Sequence, residues 1–174
     1  MRRQLSKKKR ALYTRRIVFV LGIFVVAMIQ NTPHLFPTVL GARAFLLLPL
    51  VCCMAMFEQD LAAGLLGALA GVIWDFTVAS GDGYNTFILM IFAASISLLI
   101  TYLMRNHLTT AMILGAIAIL LYVILHWFFF VIASGAEGGF VTLFTFYLPS
   151  AIYTFIFVPI FYIVLRSFMR RIKE

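Results

Sequence analysis

Between Ile17 and Leu165 the chain is a series of apolar runs, several of them close to the roughly 20 residues that a bilayer-crossing helix requires. Only Arg43, Glu58, Asp60, Asp75, Asp82, Arg105 and Glu137 carry charge within that stretch. In hydrocarbon each backbone polar group must be satisfied inside the protein, so a chain of this kind folds as helices packed in one bundle. Of its 174 residues, 64% are hydrophobic and 11% charged, against about 25% charged in soluble domains. Six spans consume about 120 residues and leave no room for a soluble domain.

The polar breaks set the spans. The first runs from about Arg16 to Asn31, and Pro33, Pro37 and Gly41 mark its exit. No small-residue cleavage site follows it, so it reads as a retained helix. A short run, Ala44 to Phe57, precedes the polar Glu58, Gln59 and Asp60. Leu61 to about Ala79 follows and ends at the turn Ser80, Gly81, Asp82, Gly83. Phe87 to Met104 stops at Arg105, Asn106 and His107; Leu108 to Ala133 stops at the small residues 134–139; and Phe140 to Leu165 completes six. Pro149 and Pro159 are expected to kink that last span.

Fourteen Lys and Arg face six Asp and Glu, and the basic residues crowd the two ends. Alternating sides across six spans puts thirteen of them on one side and only Arg43 on the other, which by the positive-inside rule makes both termini cytoplasmic. The organisation is therefore a basic cytoplasmic arm over 1–16, a six-span membrane domain over 17–165 and a basic cytoplasmic tail over 166–174. The basic ends also suit anionic lipid headgroups. Nucleic acid is a poor partner, because almost no aromatic residues are interleaved to stack on bases. Trp74, Tyr84 and Trp127 are expected at the outer interface, Tyr102 and Tyr162 at the inner one. Cys52 and Cys53, adjacent in an apolar run, fit disulfide geometry badly and read as packing residues.

The third span is the most informative. Spacings of three and four stack Gly64, Gly67, Ala68, Gly71 and Asp75 on one helical face. Small residues let helices approach closely in lipid, so this face either packs inside the bundle or docks a partner's helix. Ala93, in the fourth span, is expected to face lipid. A carboxylate at the depth of Asp75 must find a partner or a wet cavity. His126 lies at comparable depth, and Gln30 and Asn31 close the first span on the same side, so these residues with Arg43 are the candidates for an intramembrane polar cluster. It reads as a structural knot, an interface or a ligand site. His34, His107 and His126 fall at three different depths and cannot share a metal, no nucleophile elbow or phosphate loop is present, and no cofactor is implied.

The stretch from Gly41 to Met104 resembles the rod shape-determining membrane protein MreD family of Gram-positive bacteria. The resemblance rests on the leucine-rich short helix around Phe45, Leu46, Leu47, Leu48, Pro49 and Leu50, on Gly67, Gly71 and Asp75 four apart, and on Gly83 eight beyond the aspartate. Ala79 stands where many members have glycine, and the last two helices match by hydropathy alone. The resemblance implies a non-enzymatic scaffold subunit of the cell-elongation machinery in the cell membrane. It implies binding to MreC, a single-span coiled-coil protein, and through it to peptidoglycan synthases and the actin-like filament. It also implies a fold similar to the substrate-binding subunits of energy-coupling-factor transporters. A vitamin-binding subunit of that architecture is the alternative, with Asp75, Asn31 and His126 near its site. Against it, Gly22 and Ala27 in the first span lie five apart and do not share a face.

Overall fold

The computed structural model describes residues 2–32, 43–78, 82–133, 135 and 139–173, without the side chains of 2–9, 172 and 173. The expectations for Pro33, His34, Pro37, Gly41, Ala79, Ser80, Gly81, Ser134 and 136–138 fall outside the described residues. Those residues form helices and no strand: α1 (Arg2–Asn31), α2 (Leu47–Ala55), α3 (Asp60–Thr77), α4 (Tyr84–Tyr102), α5 (Leu108–Trp127), α6 (Gly139–Thr142) and α7 (Leu148–Lys173). A π-helical turn, Phe128–Ile132, continues α5, and a second, Leu143–Tyr147, joins α6 to α7.

Five segments are long and apolar enough to cross a membrane: Arg10–Asn31, Asp60–Thr77, Tyr84–Tyr102, Leu108–Ile132 and Gly139–Arg171. The basic ends continue the first and last helices, since α1 starts at Arg2 and α7 runs to Lys173. The expected second span departs most from its neighbours. Its helix has nine residues, about 14 Å at 1.5 Å per residue, half of a hydrocarbon core. Nevertheless the segment runs from one end of the bundle to the other. The Leu47 N–H donates to Gln30 Oε1 at the far end of α1 (2.9 Å), and Glu58, past the end of α2, meets Arg15 near the start of the membrane-length part of α1, Arg10–Asn31 (2.6 Å). Every residue of α2 is buried. Protein, not lipid, surrounds this short helix, which is how a partly extended backbone is tolerated at membrane depth.

Contacts fix which ends of the helices lie together. Arg15 of α1 lines the same cavity as Arg166 and Arg170 of α7, and Asn106, between α4 and α5, lines it too. At the opposite end Asn85 of α4 meets Tyr122 of α5 and Asp75 of α3, while His126 of α5 meets Tyr147, just before α7. Arg15, near the start of the membrane-length part of α1, and the charged end of α7 thus share one end of the bundle.

Two expectations about the last span resolve differently. Pro149 lies inside the continuous helical segment Gly139–Arg171, directly after the π turn, so its missing N–H falls where the regular hydrogen-bond ladder is already interrupted. Pro159 lies inside α7, which continues past it. Trp74 and Tyr162 are not interfacial anchors: they are 5% and 1% exposed, Trp74 stacked on Tyr122 with ring centroids 5.5 Å apart and Tyr162 donating to Asn106 Oδ1 at 2.9 Å. Tyr102, in contrast, is exposed. Ala93 does not face lipid; it is fully buried against Gly67 of α3, so hydropathy alone misplaces it.

Candidate functional site: a carboxylate cap between two helices

The closest helix pair in the bundle is α3 with α4, and the small residues of α3 are the reason. An atom in the Cβ position of Gly67 would collide with the Leu89 carbonyl oxygen and lie 2.8 Å from Ala93 Cβ. The same atom on Gly71 would sit 2.5 Å from the Thr86 nitrogen and 2.6 Å from the Asn85 oxygen. These two glycines admit the α4 backbone to a distance no other residue allows. Gly64, one turn earlier, is buried but looser, its nearest neighbour being Ala94 Cβ at 3.5 Å, and Ala68 is half-buried. The small face is therefore covered by the chain's own fourth helix.

Asp75 closes this contact. Its Oδ1 accepts the Asn85 backbone N–H (3.2 Å) and side-chain N–H (2.9 Å), and its Oδ2 accepts the Thr86 N–H (2.9 Å) and hydroxyl (2.6 Å). The first turn of a helix leaves its N–H groups without intrahelical acceptors and carries positive partial charge. No side chain from its own flank caps α4; the residue before it, Gly83, is left-handed at φ 69°. Glycine holds that conformation without steric penalty, and it turns the chain so that the next amides face α3. A carboxylate from the neighbouring helix thus supplies the cap and is itself neutralised by dipole and hydrogen bonds.

The other polar candidates do not join Asp75 directly. Asn85 Oδ1 accepts the Tyr122 hydroxyl at 2.7 Å, which extends the network to α5. His126 lies beyond it, with Nδ1 2.8 Å from the Tyr147 hydroxyl and its ring stacked on Phe130 at 4.5 Å. Gln30 accepts the Leu47 N–H and so caps α2 across the bundle, as Asp75 caps α4. Asn31 donates locally to the Ala27 carbonyl. Arg43 is exposed and joins none of the ion pairs among the described residues. Instead of one knot there are separate bonds, each tying one helix end to a neighbour.

A second charged site was not singled out by sequence. Glu58 has a fully buried side chain and pairs with Arg15 at 2.6 Å and Arg16 at 3.5 Å. Its carbonyl oxygen lies 2.8 Å from the Ser97 hydroxyl, which is also 2.9 Å from Asp60 Oδ1. Asn106 donates to the Met56 carbonyl at 2.6 Å. The signal was present: two arginines at the start of the first span and one acid at the end of the second belong to the same end of an antiparallel pair.

Each of these bonds ties a helix end to its own or a neighbouring element. The arrangement holds helix ends in place. The model of one protein family, rod shape-determining protein MreD, matches residues 10–172 of the chain. No curated protein and no solved structure matches it.

Proposed function

The chain belongs to the rod shape-determining protein MreD family, and on that premise we propose that it is a non-enzymatic scaffold subunit of the machinery that elongates rod-shaped bacterial cells. In this reading it binds an MreC-type single-span coiled-coil protein and, through it, supports peptidoglycan synthases and the actin-like filament during lateral wall growth. It lies in the cell membrane with six passes and both termini cytoplasmic, in a fold akin to the energy-coupling-factor substrate-binding subunits.

The observation that carries this reading is the family match over nearly the whole chain. The structure adds support: every acceptor site used by Asp75 faces α4, and Gly67 and Gly71 are filled by α4 backbone. The motif that carries the resemblance is thus consumed in building the bundle, as suits a scaffold. A partner helix must then use another face, and Leu21, Phe24, Val25 and Met28 on α1 are among the exposed apolar residues open to one.

Depletion of the protein in its host tests the role. Rods are expected to round up, wild-type chain to restore them, and a tagged copy to recover a coiled-coil single-span protein from solubilised membranes. Unchanged rod shape after depletion, with no such partner recovered, contradicts the proposal.

A further inference from the structure

At the end of the bundle that holds Arg15 and the end of α7, a cavity of about 390 Å³ is lined by Arg15, Asn106, Tyr162, Arg166 and Arg170 together with apolar side chains. A second, of about 330 Å³, shares Tyr162, Arg166 and Arg170 and continues past Ile163 and Ser167. Tyr162, Arg166 and Arg170 are four apart and form one stripe of α7, so the two arginines stand between both cavities. Ile163 and Ser167 are exposed on the flank of the bundle, and the second cavity therefore opens sideways, toward the bilayer.

The charges around this stripe are unbalanced. Arg15 has its acid, Glu58, at 2.6 Å. Neither Arg166 nor Arg170 pairs with a carboxylate among the described residues, and the contact of Arg166 is with the face of Tyr162, 5.9 Å from the ring centroid, which leaves its charge uncancelled. Asn106 and Tyr162 are engaged, Asn106 with the Met56 carbonyl and Tyr162 with Asn106, and they form a fixed wall. What is left for a ligand is guanidinium, whose planar fork matches the oxygens of a phosphate. The stripe lies one to two turns beyond the buried Tyr162, at the end of the last membrane-length segment, which is headgroup depth.

We infer that Arg166 and Arg170, with Arg15 across the cavity, form a phosphate site that holds the headgroup of an anionic phospholipid entering from the bilayer between α5 and α7. The site is more than the general attraction of a basic terminus to an acidic membrane. It places one phosphodiester between two stated arginines, with room on both sides of the stripe and an open flank for the acyl chains.

Native mass spectrometry of the full chain released from micelles tests the site, with added phosphatidylglycerol, phosphatidylcholine or inorganic phosphate as probes. Phosphatidylglycerol is expected to remain bound as a discrete 1:1 adduct where phosphatidylcholine does not. Removing two arginines at a lipid surface, in the pair Arg166→Gln and Arg170→Gln, is expected to lower the adduct about 30-fold. The control pair Arg10→Gln and Arg171→Gln removes the same charge from exposed residues that line neither cavity, and is expected to keep most of it. Ser167→Phe retains both arginines and blocks the open flank; its adduct should also fall, which keeps the test decisive if the double arginine variant does not fold. Equal loss in both arginine pairs, or equal retention of the two lipids, overturns the site. Retention of inorganic phosphate in place of the lipid supports the anion site and assigns it to soluble phosphate.

Discussion

Asp75 and Thr86 are joined twice, the carboxylate accepting the threonine's backbone N–H at 2.9 Å and its hydroxyl at 2.6 Å. The residues belong to successive helices, and this pair of hydrogen bonds means that the end of α3 is also the cap of α4. One turn before Asp75, Gly71 lies against the same residue of α4. The glycine sets the distance at which the carboxylate acts.

This geometry ranks substitutions at Asp75. All four groups around it are donors in the present arrangement. Asparagine keeps one acceptor oxygen but turns an amide toward donors, and it gives up the charge that offsets the α4 dipole, a loss of about 1–2 kcal/mol. Leucine strands every donor and should cost about 3 kcal/mol or more. Melting temperatures in micelles are expected to fall in the order wild type, Asp75→Asn, Asp75→Leu; equal values for all three contradict the cap.

The glycines differ from one another in a way that spacing alone does not reveal. Gly71→Ala drives a methyl group into α4 backbone and should cost about 2–3 kcal/mol, at the upper end of overpacking effects. Gly64→Ala meets only ordinary contacts, and alanine's better helix propensity makes it neutral or stabilising by up to about 1 kcal/mol. Thermal unfolding of the two variants side by side checks this, and equal destabilisation would mean that α4 does not approach α3 as described.

Much of this contact was legible in the sequence, and the illegible part has a physical cause. Gly67, Gly71 and Asp75 share a face by simple periodicity. The donors to Asp75 lie outside the expected cluster because His126, Gln30, Asn31 and Arg43 share its depth as polar side chains, whereas the groups it meets belong to a helix start. Asn85 and Thr86 follow Gly83 with no Ser or Asp cap of their own, and an uncapped buried helix start needs an acceptor from elsewhere. The short second span was visible as an apolar run, but not how nine helical residues fill the place of twenty. Its burial depends on long-range contacts from α1, α3, α4, α5 and α7, which no local pattern encodes. Trp74 was misread for the same reason, since Phe45 and Tyr122 cover it from distant parts of the chain.

At the other end, Glu58 and Arg15 are coupled through a buried ion pair. Removing Arg15 leaves the buried Glu58 carboxylate only the longer contact to Arg16 at 3.5 Å, and removing Glu58 strands a guanidinium that is still partly exposed, so each loss should be up to about 3 kcal/mol, the low end for a broken buried pair. The double variant Arg15→Gln with Glu58→Gln should be more stable than Glu58→Gln alone, with a coupling of about 1–3 kcal/mol. Unfolding measurements around this double-mutant cycle give the coupling directly, and strictly additive effects would show that the pair contributes nothing.

The proposed orientation rests on the six-span count, which assigns thirteen Lys and Arg to one side and one to the other. A cysteine at Ser167, near the end of α7, should resist a membrane-impermeant reagent in intact cells, whereas one at Asp82, before α4, should react; Cys52 and Cys53 are buried and contribute little background. The reverse labelling pattern contradicts cytoplasmic termini.

In the proposed scaffold the Gly67, Gly71 and Asp75 signature builds the bundle, and partner binding falls to other faces. This division is tested most directly by recovering the coiled-coil partner from solubilised membranes with wild-type chain and with Asp75→Asn, each normalised to the amount of monodisperse, folded protein. Less folded protein is expected for the variant, with the same partner recovery per folded molecule. Folded Asp75→Asn protein that fails to recover the partner would place Asp75 in the binding surface and contradict it.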